Sequence, residues 1–165
     1  MTQQPSAEVT AKPTVNVLNF QRLRDAIKAE EAPMQIGFDM RSIFSFPSAQ
    51  GQSIRPTFGV SLTECGTTAC ICGWAYALKH LGKWGELGSR WADDLVEEAQ
   101  DWLGLTSSQG NELFGIGASQ ASLNAITKEI AIDHLDDIIA AGRYLPWPPI
   151  KPQDWCDTFR EMNHD

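Results

Sequence analysis

Three cysteines, Cys65, Cys70 and Cys72, crowd one short stretch, and a fourth, Cys156, stands near the C-terminus. Thiols so placed raise three kinds of chemistry: a nucleophile, a metal site and a disulfide. Cys70 is the candidate nucleophile. If Thr67 or Thr68 caps the helix that follows, Cys70 falls in its first turn, where aligned backbone dipoles depress a thiol pKa. A thiol enzyme also needs a base within about 3 Å of the sulfur. His80 is ten residues along the same helix, roughly 15 Å away at about 1.5 Å per residue. His164 lies at the tail, which leaves His134. A cysteine-dependent hydrolase or thiol enzyme would therefore rest on Cys70 and His134.

The other thiol chemistries fit less well. Cys65, Cys70, Cys72 and Cys156 lack the spacing of a zinc ribbon. Within one helix, Cys70 and Cys72 would point about 200° apart. No metal site is expected, and no motif calls for a cofactor. A Cys65–Cys70 disulfide would require an oxidising compartment. Among the carboxylates, Asp93/Asp94 and Asp136/Asp137 are helix neighbours that do not face each other. Gly115-Ile116-Gly117-Ala118 lacks the strand-before, helix-after setting of a phosphate loop. The balance favours a non-catalytic protein.

Charge offers a different kind of site. The 165-residue chain has a net charge of −8, which argues against direct nucleic-acid binding, since that needs a basic footprint. Between Arg90 and Lys128 there is no lysine or arginine, yet Asp93, Asp94, Glu97, Glu98, Asp101 and Glu112 fall there. Asp93, Glu97 and Asp101 recur at four-residue spacing with Asp94 and Glu98 beside them, so these five are the candidate binding residues. They would meet a protein partner with a basic surface, of the kind that otherwise holds nucleic acid, and would thereby inhibit it. No apolar run approaches the roughly 18 residues of a membrane-spanning helix. The first residues lack the layout of a signal peptide. The expected location is the cytoplasm, where cysteines stay reduced.

The elements that must position these groups read mostly as helices. Residues 1–15 are polar with Pro5 and Pro13, and read as a flexible arm. Asn19 has the character of an N-cap, with Leu18 and Leu23 as a staple and Phe20, Leu23 and Ile27 on the inner face. Ile36, Phe38 and Met40 alternate like a short strand, and Thr57 to Leu62 is its expected partner. Ala69 to Leu81 is apolar on nearly every side, the mark of a buried helix, with Gly82 as its stop. Ser89 would cap a helix from Arg90 to Leu103 whose stripe is Trp91, Leu95, Ala99 and Trp102. Thr106 and Gln109 form a capping-box pattern for a short helix closed by Gly115 and Gly117. A further helix from Asn124 or Thr127 to Ala141 carries Ile132, Leu135, Ile138 and Ile139 inward and stops at Gly142. Tyr144-Leu145-Pro146-Trp147-Pro148-Pro149 is an extended connector, and Trp155, Phe159 and Met162 mark a last short helix.

The run Cys65-Gly66-Thr67-Thr68-Ala69-Cys70-Ile71-Cys72-Gly73-Trp74-Ala75 resembles the signature of a group of small uncharacterised phage and bacterial proteins. These carry a Cys-Gly-Thr turn followed by Ala-Cys-Ile and Gly-Trp-Ala on a helix. Phe38-Asp39-Met40, Leu103-Gly104-Leu105 and Leu113-Phe114 are similar to further parts of that pattern. Cys72 departs from it, standing where a small residue such as alanine is expected. The resemblance implies a phage or prophage setting, hence a host-cell cytoplasm, and no mechanism.

The expected architecture is mostly α: a compact helical domain around a buried central helix at about 69–81, with at most a small β-hairpin from residues 35–62. Residues 16–165 would form this single domain, including a proline-rich connector at 144–152.

Overall fold

The computed structural model describes residues 15–29, 36–41, 43–45, 68–80 and 92–149. Among them are six helices: α1 (Val17–Ala29), α2 (Ile71–Lys79), α3 (Ala92–Leu103), α4 (Ser107–Leu113), α5 (Gln120–Asn124) and α6 (Lys128–Ala141). Three two-residue strands accompany them: β1 (Gly37–Phe38), β2 (Phe44–Ser45) and β3 (Thr68–Ala69). The fold is mostly α, as its sequence predicts.

The central helix is α2. Every residue from Ile71 to Ala77 is buried, and Trp74 and Ala77 are fully so. With no polar face to turn outward, this segment is stable only at the centre of the domain. It packs chiefly on α3 and also on α1, while α1 lies along α6. Leu95, Ala99 and Leu103 bring α3 into the core, and Ala131, Leu135 and Ile138 bring in α6. Gly73 permits a close approach: a Cβ there would run into the Ile43 carbonyl oxygen.

The sheet is arranged differently from a hairpin. β3 lies in the middle, with β1 parallel to it on one side and β2 antiparallel on the other. Phe38 and Phe44 both pair with Ala69. Thus two strands fall within 35–62, but they are joined through Thr68–Ala69, the segment read as the start of the central helix. The expected partner strand, Thr57 to Leu62, lies outside the described residues. Because Thr68 and Ala69 are drawn into the sheet, α2 starts later, and Cys70 with its extended backbone is the N-cap. Thr68, a strand residue, does not take that place, and Thr67 lies outside the described residues. The Cys70 carbonyl accepts the first helical bond, from Trp74 N at 3.0 Å.

Helix α1 also begins earlier than its sequence suggests. Asn16, not Asn19, caps it, with Oδ1 accepting from Asn19 N at 3.2 Å. Asn19 is instead buried, and its Nδ2 donates to the Trp102 carbonyl at 2.7 Å. That bond ties α1 to the end of α3, as does Asn16 N donating to Leu103 O at 2.9 Å. Val15, the last residue of the expected arm, is a core residue at 4% exposure.

Local signals hold where both partners are close in sequence. Thr106 and Gln109 make both bonds of the capping box. Thr127 caps α6, and Gly142 ends it in the left-handed conformation at φ 61°, where a residue with a Cβ is disfavoured. The short α5, capped by Ser119, was not legible as a separate helix. The Ser89 cap, Trp91, Leu81, Gly82 and the C-terminal helix lie outside the described residues.

Candidate functional site

The acidic residues are set by the amphipathicity of α3. Since Leu95, Ala99 and Leu103 must face inward, residues at four-residue spacing on the far side face water. Asp93, Asp94, Glu97 and Asp101 are exposed. Among the described residues, no ion pair or hydrogen bond reaches the carboxylates of Asp93, Glu97 or Asp101. The last turn of α3 contains no basic residue, so nothing on the helix itself offsets them.

Glu98 belongs to a different group. Its side chain is 20% exposed and turns toward α2, where Oε2 meets His80 Nε2 at 2.5 Å and Lys79 Nζ at 3.3 Å. Lys79 also donates to the Glu98 carbonyl at 3.3 Å. His80 packs against Tyr76, with ring centroids 4.5 Å apart. Glu98 therefore fastens the end of α2 to α3. Sequence reasoning grouped it with its neighbours, because only the crossing of α2 over α3 reveals its partners.

Cys70 and Cys72 are free thiols, at 2% and 0% exposure. Since Cys70 is extended and not helical, its side chain is not turned away from Cys72 as a regular helix would require. Cys70 makes no side-chain capping bond. Its pKa is nonetheless held below the usual thiol value, first by hydrogen bonding from the Cys72 thiol and further by the N–H groups of Gly73 and Cys72, against the opposing effect of burial. The same interaction, together with burial, pushes Cys72 well above its usual value. Cys72 Sγ also approaches the Leu95 carbonyl at 4.0 Å.

His134 is on the inner face of α6 at 3% exposure. No hydrogen bond or ring contact among the described residues joins it to Cys70. Instead it stacks on Trp147, and its Nε2 is buried without a hydrogen-bond partner among the described residues. Burial depresses its pKa, opposed by the charges of Asp137 and Glu112 and by a hydrogen bond to the Leu145 backbone. The Tyr144 hydroxyl is likewise buried and lacks a hydrogen bond of ordinary geometry. Burial first, and then Glu112, holds its pKa well above the usual value. Sequence reasoning missed this group, although the interruption of the inner stripe of α6 by a histidine was a signal.

A groove of about 490 Å³ lies between β1 and the start of α6, lined by residues that include Phe38, Asp39, Arg41, Leu123, Thr127 and Lys128. Arg41 there is already engaged: its Nε donates to both oxygens of Asp39 at 2.8 and 2.9 Å. That pairing is the main reason the Asp39 carboxyl stays below its usual pKa. Among the described residues, no three of His, Cys, Asp and Glu are grouped to hold a metal ion. No described helix is long and apolar enough to cross a membrane.

No protein-family model, curated protein or solved structure matches this chain.

Proposed function

We propose that this protein acts by binding another protein, with the outer face of α3 as its contact surface. The observation that carries this reading is the exposed row Asp93, Glu97 and Asp101, whose carboxylates no described residue pairs. Like charges at this spacing cost a few tenths of a kcal/mol per pair, and a basic partner would relieve that cost. Asp94 extends the row, whereas Glu98 serves the α2–α3 contact. The partner chemistry that fits is a basic protein surface, such as one that otherwise holds nucleic acid, and occupying it would inhibit that protein. A phage or prophage origin fits such an inhibitor.

A second reading, a thiol enzyme on Cys70 and His134, has the depressed Cys70 thiol in its favour. Against it stand the burial of that thiol and the engagement of His134 by Trp147. A pull-down from host lysate tests the first reading, using the parent chain and a variant with Asp93, Glu97 and Asp101 changed to lysine. The partner should be captured by the parent, lost from the variant and released by about 0.5 M salt, which screens exposed charges within a few ångströms. Capture insensitive to both would overturn the acidic-face reading.

A further inference from the structure

In a continuous helix Cys70 and Cys72 would point about 200° apart and could not share an ion. The structure removes that obstacle. The sheet takes Thr68 and Ala69 and leaves Cys70 as the extended N-cap of α2, at φ −77° and ψ 178°. An N-cap side chain folds back over the first turn, toward the second and third helical N–H groups. Cys70 Sγ accordingly faces the N–H groups of Cys72 and Gly73, and with them the Cys72 thiol. Cys72 is the second residue of α2, and a helical Cβ leans toward the N-terminus, which carries its sulfur the same way.

The two sulfurs therefore meet at the head of a buried helix. Both thiols are free, at 2% and 0% exposure. Their neighbours in sequence, Ala69, Ile71 and Trp74, are fully buried and apolar. On the side of α3, Cys72 Sγ approaches the Leu95 carbonyl at 4.0 Å. Among the described residues, no third His, Cys, Asp or Glu joins the pair in a metal-binding group.

We infer that Cys70 and Cys72 form a two-coordinate site for a soft monovalent ion, Cu(I). Thiolate sulfur selects Cu(I) over harder ions, and this d10 ion is satisfied by two sulfurs in line. Zinc is not, since its structural sites take four ligands. Reach distinguishes the site from a disulfide. An S–S bond would draw the sulfurs to roughly 2.05 Å. Two metal–thiolate bonds of about 2.3 Å laid end to end leave them about 4.6 Å apart, which asks far less movement of thiols in hydrogen-bond contact. On binding, two S–H bonds give way to two Cu–S bonds, both protons leave to solvent, and copper stays at +1. The dithiolate carries one net negative charge, which the N-terminus of α2 and the N–H groups facing Cys70 offset. This site is independent of the acidic row on α3.

The test uses the reduced full chain, kept free of oxygen and titrated with Cu(I) held by the chromogenic chelator bicinchoninate. A Cys65→Ser/Cys156→Ser protein should withdraw one Cu(I) per chain, and excess zinc should not displace it. X-ray absorption should count two sulfur neighbours on the copper. Adding Cys70→Ser or Cys72→Ser to that protein should abolish the uptake. Because buried substitutions can impair folding, a second readout leaves both thiols in place. Copper should raise the melting temperature of the parent and of the Cys65→Ser/Cys156→Ser protein, as a ligand specific to the folded state must. Uptake without that rise would mean that only the unfolded chain binds, and would overturn the inference. So would no uptake against the chelator, a third sulfur on copper, or uptake that survives either added serine.

Discussion

His134 lies nearly flat against Trp147, with ring centroids 4.1 Å apart and planes inclined by 25°. The contact joins a helix residue to the connector that leaves that helix, and the imidazole Nε2 is buried without a hydrogen-bond partner among the described residues. Gly142 reverses the chain after α6, and the Trp147 bond to Leu113 O fixes where it returns. A neutral imidazole suits this place, whereas an imidazolium would be a charge removed from water.

Stability should therefore fall with acid. The folded-state pKa of His134 is depressed, mainly by burial, below the unfolded value of about 6.5. Above that value both states hold a neutral imidazole, and the group adds no pH dependence. As pH falls from about 6.5 to the folded pKa, the unfolded state takes up the proton first and stability is lost. Below the folded pKa the loss levels off. Urea unfolding at about pH 7.5 and 5.5, either side of that ordinary value, should show a drop in the parent. His134→Phe should show a smaller drop, because the ring contact remains and the titrating group is gone. Equal drops in both proteins would place the acid sensitivity elsewhere.

Trp74 separates size from polarity in the core. Its side chain is fully buried, yet Nε1 has no hydrogen-bond partner among the described residues. Trp74→Ala should cost about 3–5 kcal/mol through lost burial and the cavity left behind. Trp74→Phe loses some volume but also removes an unsatisfied donor that costs about 1–3 kcal/mol. It should be much milder than the alanine change. Denaturant midpoints for the two variants give the comparison, and equal losses would mean that the indole N–H carries a stabilising contact.

Gly73 and Gly110 make a second contrast. A Cβ at Gly73 would overlap the Ile43 carbonyl, which is backbone, whereas one at Gly110 would meet the buried Gln100 side chain from Cγ outward, which can yield only by giving up its bonds to Asn111 and Ser107. Gly73→Ala should therefore cost at least the roughly 1–3 kcal/mol of an overpacked core. Gly110→Ala should cost less, because a side chain and not backbone must shift, although it repacks the buried Gln100 and breaks its bonds to Asn111 and Ser107. A thermal melt ranking the two in the reverse order would show that Ile43 yields easily.

Thiol accessibility distinguishes the two functional readings. In a Cys65→Ser/Cys156→Ser protein only Cys70 and Cys72 remain, both buried. They should react with Ellman's reagent only as fast as the fold opens, and added urea should accelerate both together. One rapid reaction in the native protein, lost in Cys70→Ser, would instead reveal an accessible nucleophile.

How much of this was legible depended on the distance between partners. The Thr106–Gln109 box, the Thr127 cap and the Gly142 stop are each local, and all are found in the structure. The central helix was legible because an all-apolar segment has one stable location. Asn16 and Asn19 are both capable caps three residues apart, and only the distant Trp102 carbonyl, reached by Asn19, decides between them. Thr68–Ala69 has no periodicity of its own, because its strand character comes from Phe38 and Phe44. At the candidate site, the exposed acidic row follows from helical spacing, whereas the diversion of Glu98 requires knowing where α2 crosses α3.

Neighbouring residues Glu97 and Glu98 should accordingly do different work. Glu97 is exposed and outside any described ion pair, while Glu98 holds His80 and Lys79 from α2. Glu98→Gln weakens charged hydrogen bonds that are mostly shielded from water, so it should lower stability by about 1–2 kcal/mol. Glu97→Gln removes one member of a like-charge row and should leave stability within about 0.5 kcal/mol, as surface changes usually do. Partner capture should follow the reverse order, with Glu97→Gln weakening it and Glu98→Gln sparing it once the fraction folded is matched. Denaturant unfolding and pull-down on the same two variants provide both readouts. If Glu98→Gln abolished capture while remaining as stable as the parent, the contact surface would lie at the α2–α3 seam and not on the outer face of α3.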